Sequence, residues 1–208
     1  MTIDEVMALA PVIPVLVIDD VADAHPLAEA LVAGGLRALE VTLRTKCALE
    51  AIAEMARVEG AVVGAGTVLN ERQLDHALDA GAQFIVSPGL TDRLGRAAIR
   101  RKAPFLPGVA TASEIMRGLE LGFTRFKFFP AESSGGVAAL KALAAPFVGV
   151  RFCPTGGINL EGAASYLEVP AVACVGGSWL VPLGESDWLK VEDRARLAAA
   201  LRRVSCDS

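Results

Sequence analysis

Short runs of β-branched and aromatic residues alternate with alanine-rich, helix-periodic stretches along the whole chain. Such alternation predicts parallel strands joined by crossover helices, because a parallel strand can rejoin its sheet only through a long connection. Eight runs have this strand-like composition, namely residues 12–18, 38–43, 61–66, 83–87, 104–108, 125–129, 150–154 and 172–177. The chain is therefore predicted to be an α/β protein with eight parallel strands.

The helical stretches between these strands end at glycines. Gly35, Gly60 and Gly81 each stand where a left-handed helix cap favours glycine. Eight strand–helix units in 208 residues leave roughly 26 residues per unit, close to the lower size of a complete eightfold barrel. We therefore predict a single (β/α)8 TIM-barrel domain over residues 1–208. A doubly wound open sheet fits less well, because IDDVADA rather than a GxGxxG dinucleotide loop follows the first strand.

The charge pattern excludes two classes of partner. The net charge is -4 and no long run of like charges occurs, so neither a nucleic-acid patch nor a basic membrane-binding face is predicted. The N-terminal apolar run lacks a basic leader and is interrupted by Pro11, Pro14 and an acidic pair, which is atypical of a secretory signal or a membrane span. We expect a cytoplasmic protein that binds neither membranes nor nucleic acids.

The cysteines and histidines indicate neither disulfides nor a metal. The cysteines show no CxxC spacing, and two of them lie in apolar strand-like runs, so buried free thiols in a reducing compartment are predicted. They are Cys47, Cys153, Cys174 and Cys206. His25 and His76 fall in helical stretches, away from any cluster with metal-ligand spacing. We predict that the protein uses no metal and no cofactor.

The sixth predicted strand, RFKFFP, places a lysine among aromatic residues. Period-2 alternation sends Phe126 and Phe128 to one side, beneath the helices, and Lys127 and Phe129 to the other. Lys127 would then point into the barrel near the carboxyl end of its strand, where barrel enzymes place their chemistry. An amine among apolar groups loses hydration, which favours the neutral nucleophile that a Schiff base requires. The alternative is a lysine that reaches solvent along its apolar stem.

The second predicted strand, LEVTLR, carries three polar residues on its inward row, Glu40, Thr42 and Arg44. Polar side chains are costly in a barrel core unless a site uses them. Glu40 could transfer protons during carbon–carbon cleavage, and Arg44 could hold a carboxylate or phosphate with its paired donors. The alternative is an ion pair of Glu40 with Arg44 or Lys127 that only satisfies buried charge.

Two loops near the end of the chain are rich in glycine. TGGI follows the seventh strand and GGSW follows the eighth, and these two loops commonly form the phosphate site of a barrel. Backbone N–H groups exposed by glycine, together with a helix N-terminus, attract anions. Gly156, Gly157, Gly177 and Ser178 are therefore predicted to bind a phosphate group of the substrate.

The third and fourth strands end in shorter signals. The third ends in GAGTV, where Thr67 offers a hydroxyl to a substrate carboxylate or, alternatively, caps the helix that begins near Asn70. The fourth ends in SPGL, where Pro88 fixes a rigid turn that could shape a pocket. Both residues are predicted at the same rim as Lys127.

Six segments together carry a family resemblance: LEVTLRT, GAGTV, SPGL, FKFFPAE, RFCPTGGI and GGSWLVP. In this order, over nearly the whole chain, they closely resemble the bacterial 2-keto-3-deoxy-6-phosphogluconate (KDPG) aldolases, the class I aldolases of the Entner–Doudoroff pathway. The resemblance implies cleavage of this phosphorylated keto acid to pyruvate and glyceraldehyde 3-phosphate, without a cofactor. It also implies that 2-keto-4-hydroxyglutarate (KHG) is a further candidate substrate.

The resemblance assigns roles to the residues that react and that hold the future pyruvate. Lys127 would form the imine, and Glu40 would be the general acid and base. Arg44 and Thr67 would contact the part of the substrate that becomes pyruvate.

The remaining roles that the resemblance implies concern the pocket and the assembly. Pro88 and Phe129 would line the pocket, while Gly156, Gly157 and Ser178 would approach the phosphate. Since the family commonly assembles as trimers, a homotrimer is expected.

Three other functions fit parts of the same pattern. A sister aldolase specific for the galactonate epimer would keep Lys127, Glu40 and the glycine loops. A sugar-phosphate isomerase or decarboxylase would use Lys127 only as a charge and would form no covalent adduct. A non-catalytic sugar-phosphate sensor would keep the glycine loops but would not need both inward residues.

Overall fold

The computed structural model of the protein describes residues 1–201, which form nine strands and nine α-helices. The strands are β1 (Val12–Leu16), β2 (Ala38–Thr42), β3 (Val62–Gly66), β4 (Phe84–Val86), β5 (Phe105–Leu106), β6 (Gly108–Val109), β7 (Arg125–Phe128), β8 (Arg151–Pro154) and β9 (Val175–Gly177). The helices are α1 (Ile3–Ala8), α2 (Ala24–Ala33), α3 (Ala48–Met55), α4 (Glu71–Asp79), α5 (Asp92–Arg100), α6 (Ala112–Glu120), α7 (Gly136–Ala144), α8 (Leu160–Leu167) and α9 (Trp188–Ala199).

The strands form two parallel sheets. One has the order β5-β4-β3-β2-β1-β9 and the other the order β6-β7-β8. From β1 to β5 and from β6 to β8, consecutive strands pair with one another and helices form the crossovers between them, as the alternation in the sequence predicts, while β9 pairs with β1. The parallel α/β class is confirmed. Because all the strands run in the same direction, their carboxyl ends lie at one edge, where side chains from distant parts of the sequence can meet.

The structure differs from the prediction at the fifth predicted strand. It is split into β5 and β6, which belong to different sheets and are separated only by Pro107. Proline has no backbone N–H to donate to a neighbouring strand, so the ladder is interrupted at this point. The other seven predicted strands form, each shortened by one or more residues.

Local signals in the sequence set many helix boundaries. Gly35 and Gly81 follow α2 and α4 with φ angles of 92° and 99°, which confirms them as left-handed caps. Gly60 also has a positive φ, 84°, but it lies beyond the end of α3. The helix after the third strand is capped by the Asn70 side chain, which accepts from the N–H of Gln73 at 3.0 Å. The alternative role of the threonine in GAGTV as this cap is therefore wrong.

Side chains alternate between two apolar clusters on the two faces of the strands. The outer cluster packs beneath the helices and includes Leu39, Val41, Phe126 and Phe128. The inner cluster fills the space between the strands, with the members Val6, Met7, Ile13, Ala38, Val62, Phe84, Val86, Leu106, Cys153 and Cys174. The predicted faces of the second and sixth strands are thus confirmed.

The N-terminal helix α1 contributes to the inner cluster although the sequence reading predicted no helix there. It begins at a capping box, in which the Thr2 hydroxyl accepts from the Glu5 N–H and the Glu5 carboxylate accepts from the Thr2 N–H. Val6 and Met7 are its buried residues. The helix therefore covers the interior at the amino-terminal end of the strands.

Two sequence expectations concern membranes and cysteines. Among residues 1–201, none of the helices combines the length and the apolar composition of a membrane span. Cys153 and Cys174 are buried, as predicted, whereas Cys47 is half-buried and its thiol contacts the Ile18 carbonyl at 3.1 Å. Cys206 lies outside the described residues.

Candidate active site

Lys127 on β7 and Glu40 on β2 meet in the interior between the strands. The Lys127 Nζ lies 3.1 Å from the Glu40 Oε1, and the two side chains are 7% and 4% exposed. The Lys127 Nζ also lies 5.2 Å from the centroid of the Phe129 ring, within range of a cation–π contact. The predicted inward direction of these side chains is confirmed. The alternative, in which Lys127 extends along its apolar stem to reach solvent, is wrong.

The neighbouring strand makes room for Glu40. A Cβ on Gly66, at the carboxyl end of β3, would lie 2.2 Å from the Glu40 Oε1, so only glycine leaves space for this carboxylate. Thr42, two residues further along β2, donates its hydroxyl to the Leu16 carbonyl at 2.8 Å. Among residues 1–201, no buried side-chain nitrogen or oxygen lacks a hydrogen-bond partner. Glu40 and Thr42, the buried polar residues of this inward row, are therefore satisfied and held in place, whereas Arg44 is exposed.

A pocket opens over the lysine at the carboxyl ends of the strands. Of the predicted site residues, six line it: Arg44, Lys127, Phe129, Gly156, Gly157 and Ser178. Arg44 brings a guanidinium to the pocket beside the Lys127 amine, which suits a ligand with an anionic group.

The first glycine loop is shaped by the residues next to it. Gly156 and Gly157 have φ angles of 107° and 78°, a backbone region that favours glycine. A Cβ on Gly156 would lie 3.2 Å from the Phe129 ring, and one on Gly157 would lie 2.8 Å from the Glu132 Cβ. Helix α8 begins directly after this loop, capped by Asn159. The loop thus combines close backbone access with the positive end of a helix dipole, which favours an anion.

The second glycine loop differs from the prediction by one residue. Gly176 and Ser178 line the pocket, whereas Gly177 does not. A Cβ on Gly177 would lie 1.9 Å from the Trp179 ring, so this residue faces the packed outer side of β9. Strand alternation explains the correction, because Gly176 and Gly177 point to opposite faces.

Thr67 and Pro88 lie at the ends of β3 and β4, outside the lining of this pocket. Thr67 has a φ of 58°, an unusual conformation for a β-branched residue and one that proteins tend to retain at functional sites. The Pro88 carbonyl packs so closely on Gly108 that a Cβ there would lie 2.2 Å from its oxygen. Both residues thus belong to the same edge of the molecule as the pocket.

Four pocket residues were missed by the sequence reading: Val15, Thr155, Ile158 and Gly176. Thr155 is the most informative of them, because its side chain is polar and the residue is only 5% exposed. It follows β8 directly, and a Cβ on Gly176 would lie 2.2 Å from its hydroxyl oxygen. Applying to RFCPT the alternation that was applied to RFKFFP would have placed Thr155 on the inward face beyond Cys153.

Other parts of the described chain fit such chemistry less well. A second cavity, between the loops that follow β1 and β9, is lined by Asp19, Asp20, Asp23 and Glu185 without any lysine or arginine, so it would repel an anionic substrate. Within residues 1–201 no group of three or more His, Cys, Asp or Glu side chains could hold a metal ion. The pocket over Lys127 is therefore the candidate active site.

Comparison with known proteins gives one consistent family. Residues 3–200 match the family model described as KDPG and KHG aldolase. A relative from Zymomonas mobilis subsp. mobilis, a 2-dehydro-3-deoxy-phosphogluconate aldolase, is 62% identical over 203 residues and the match covers 98% of each chain.

Solved structures agree with the sequence comparison. A 2-keto-3-deoxy-6-phospho-gluconate aldolase from Zymomonas mobilis is 61% identical with a TM-score of 0.97, over 98% of this chain and 99% of the other. A KDPG aldolase from Legionella pneumophila, with pyruvate captured at low pH as a covalent carbinolamine intermediate, is 45% identical with a TM-score of 0.93, over 96% and 99%.

Proposed function

The chain belongs to the KDPG and KHG aldolase family and is an aldolase, a carbon–carbon lyase; we propose that it cleaves KDPG to pyruvate and glyceraldehyde 3-phosphate through an imine on Lys127. The observation that carries this proposal is the buried contact of 3.1 Å between the Lys127 Nζ and the Glu40 Oε1 beneath a pocket lined by glycine loops. A nucleophilic amine and a proton-transfer group held within hydrogen-bond reach are the pair that imine chemistry requires.

The first half of the reaction attaches the substrate. Transfer of one proton from the Lys127 Nζ to Glu40 gives a neutral amine and a protonated carboxyl group. The amine attacks the C2 ketone, and a proton passes from the attached nitrogen to the ketone oxygen to give a carbinolamine. Glu40 in its protonated form donates to the departing hydroxyl, which leaves as water and gives the iminium. The covalent carbinolamine described for the Legionella pneumophila relative supports an adduct of the same kind here.

The second half breaks the C3–C4 bond. Glu40, now a carboxylate, accepts the proton of the C4 hydroxyl, the C3–C4 electron pair moves into the iminium, and an enamine forms as glyceraldehyde 3-phosphate leaves. Glu40 returns this proton to C3 of the enamine, which restores the iminium, and addition of water releases pyruvate and the free Lys127 amine. The carbon–carbon electrons thus need no metal, since the iminium accepts them.

The pocket walls suit the two charged ends of this substrate. Arg44 would bind the C1 carboxylate with its paired N–H donors, with the Thr67 hydroxyl as a further contact. Gly156, Gly157 and Ser178 would receive the phosphate at the start of α8. Pro88 and the Phe129 ring would bound the space between these ends.

KHG is a second candidate substrate, favoured by the family description, which includes KHG aldolases. KHG has the same keto acid end as KDPG but has a second carboxylate instead of the phosphate. It would therefore use Lys127 and Arg44 but would make fewer contacts with the two glycine loops. We therefore propose a higher KM for KHG than for KDPG. The galactonate epimer is the third substrate to assay, because the two epimers differ at a single stereocentre.

We also propose that the two sheets are parts of one eight-stranded barrel. Only Pro107 separates β5 from β6, which would be two halves of one strand. At the other edge, bridges between Phe152 and Val172 and between Thr155 and Gly176 link β8 with the β9 segment. A single domain over residues 1–208 and a homotrimer also stay predictions, and a sedimentation measurement that returned any number of chains other than three would contradict the latter.

The proposed imine can be tested by trapping. The protein is incubated with pyruvate and borohydride, and intact-mass and peptide mapping follow; one reduced pyruvate adduct on Lys127 and none on the exposed Lys141 is the expected result. Glu40→Gln should still form the adduct but turn over KDPG slowly, since the amide cannot accept the C4 hydroxyl proton. A chain that stays unmodified, while a known imine-forming aldolase is labelled, would favour a non-covalent barrel enzyme or a sensor.

A further inference from the structure

Tyr166, the only tyrosine of the chain, makes a hydrogen bond that the proposed mechanism does not use. It lies on α8 and is fully buried, and its hydroxyl donates to the Glu132 Oε1 at 2.7 Å. Burial and the neighbouring carboxylate both raise the pKa of Tyr166 well above its usual range, so the hydroxyl remains a donor at neutral pH. A buried tyrosine and a carboxylate from another element are therefore fixed to each other.

Glu132 belongs to the loop that follows β7, and this loop is tied to the first glycine loop. The Ala131 N–H donates to the Thr155 carbonyl at 2.8 Å, and the Glu132 N–H donates to the Gly156 carbonyl at 3.1 Å. The aliphatic part of the Glu132 side chain lies over Gly157, where a Cβ would be 2.8 Å from the Glu132 Cβ and 2.9 Å from its Cγ. The conformation of Glu132 and the position of Gly157 are thus coupled by direct contact.

We propose that Tyr166 and Glu132 are positioning residues that fix the Gly156–Gly157 loop and so determine how tightly the phosphate end of the substrate binds. Neither residue lines the pocket, and each acts on the loop through the contacts described above. Tyr166 holds the Glu132 carboxylate, and Glu132 in turn holds the loop against Phe129, which shares the pocket with Lys127. This inference rests on the proposed function for its substrate, but it concerns the phosphate loop rather than the imine.

The two ends of the substrate allow a test that separates positioning from a general structural role. Tyr166→Phe removes only the hydroxyl and Glu132→Ala removes the acceptor, so each should raise KM for KDPG about tenfold, the size expected for losing a hydrogen bond to a charged group. The kcat should stay within about twofold. The pyruvate concentration that half-saturates borohydride trapping should not change, because pyruvate has no phosphate.

Two further variants complete the experiment. Glu132→Gln keeps an acceptor for the Tyr166 hydroxyl and should restore KM to near the starting value. Glu168→Ala removes an exposed carboxylate at the other end of α8 and serves as the matched control, with no change expected. The Tyr166→Phe, Glu132→Ala double variant should be no worse than either single variant, since both break the same contact.

Two results would overturn the proposal. One is an unchanged KM in folded Tyr166→Phe; the other is a loss of pyruvate trapping in parallel with the rise in KM, which would indicate general loosening of the site. If the proposed imine mechanism itself is wrong, the unaltered protein will give no borohydride-reduced pyruvate adduct on Lys127. This outcome is therefore distinguishable from failure of the positioning proposal.

Discussion

The two ends of the strand layer differ in what fills them. At the amino-terminal end the interior is apolar, with Met7 from α1 packed among Ile13, Val62 and Phe84. Toward the carboxyl ends the interior contains the buried lysine, glutamate, serine and threonine side chains of the described residues, namely Glu40, Thr42, Ser87, Lys127 and Thr155. The amino-terminal end of the interior thus resembles an ordinary hydrophobic core, whereas the carboxyl-terminal end resembles a functional site.

This contrast separates stability from chemistry. Burying apolar side chains stabilises the fold in proportion to the area removed from water. A buried ion pair such as Lys127 with Glu40 gains little net stability, because the loss of hydration offsets the attraction between the charges. Substitutions at the apolar end should therefore act on unfolding, and those at the polar end on turnover.

The largest expected effect is at the polar end. Lys127→Arg keeps a positive charge beside Glu40, but the guanidinium stays protonated and cannot form an imine. Cleavage of KDPG should fall by at least roughly 1000-fold, which corresponds to about 4 kcal/mol, and pyruvate trapping should vanish. The measurement is steady-state kinetics beside Lys141→Arg, an exposed lysine on α7 that should leave the rate unchanged. Substantial turnover by Lys127→Arg would remove the imine from the mechanism.

The apolar end should give the next largest effect, on stability. Met7→Ala empties space in the inner cluster, where Met7 is 1% exposed, and should lower the free energy of unfolding by about 3 kcal/mol. The specific activity of the folded fraction should stay the same. Met116→Ala, at a position 56% exposed on α6, is the control and should shift stability by less than about 0.5 kcal/mol. Denaturant unfolding of both variants measures the difference.

Alanine substitutions at two glycines of β3 allow the two ends of the interior to be compared directly. Gly66→Ala would place a Cβ 2.2 Å from the Glu40 Oε1, so Glu40 must move away from Lys127 and turnover should fall roughly tenfold to 100-fold. Gly64→Ala would place a Cβ 2.4 Å from the Phe84 ring and should instead cost about 1–3 kcal/mol of stability through overpacking. If both variants lost activity to the same extent, the separation of the two ends would not hold.

Periodicity predicted the strands, their faces and the inward residues, because a strand exposes alternate residues to each face whatever its surroundings. The same rule accounts for Lys127 and Glu40, and it would have corrected Gly177 to Gly176 and added Thr155 had it been applied to the last two strands. These features needed no knowledge of the tertiary structure.

Other features depend on contacts between distant segments. The split of the fifth strand at Pro107 and the hydrogen bond between Tyr166 and Glu132 depend on which strands and loops become neighbours, which local patterns do not specify. Helix α1 is a different case, since the capping box of Thr2 and Glu5 was present in the sequence as a recognisable signal. The inward direction of Lys127 and Glu40 was thus easier to predict than the packing that positions them.

The smallest expected effect concerns backbone strain. Within residues 1–201, two non-glycine residues have a positive φ. Thr67, at the end of β3, has a φ of 58°, and Lys102, in the turn after α5, has a φ of 52°. Replacing Thr67 by glycine should relieve strain that is greater for a β-branched residue and raise stability by about 1 kcal/mol. Its hydroxyl is lost at the same time, so kcat/KM should fall severalfold.

Lys102→Gly is the control. It should change stability by less than about 0.5 kcal/mol, since relief of strain and loss of chain entropy nearly cancel, and activity should be unaffected. Thermal unfolding and steady-state kinetics of both variants test whether the strained conformation of Thr67 serves activity. A Thr67→Gly variant that is more stable and fully active would show that it does not.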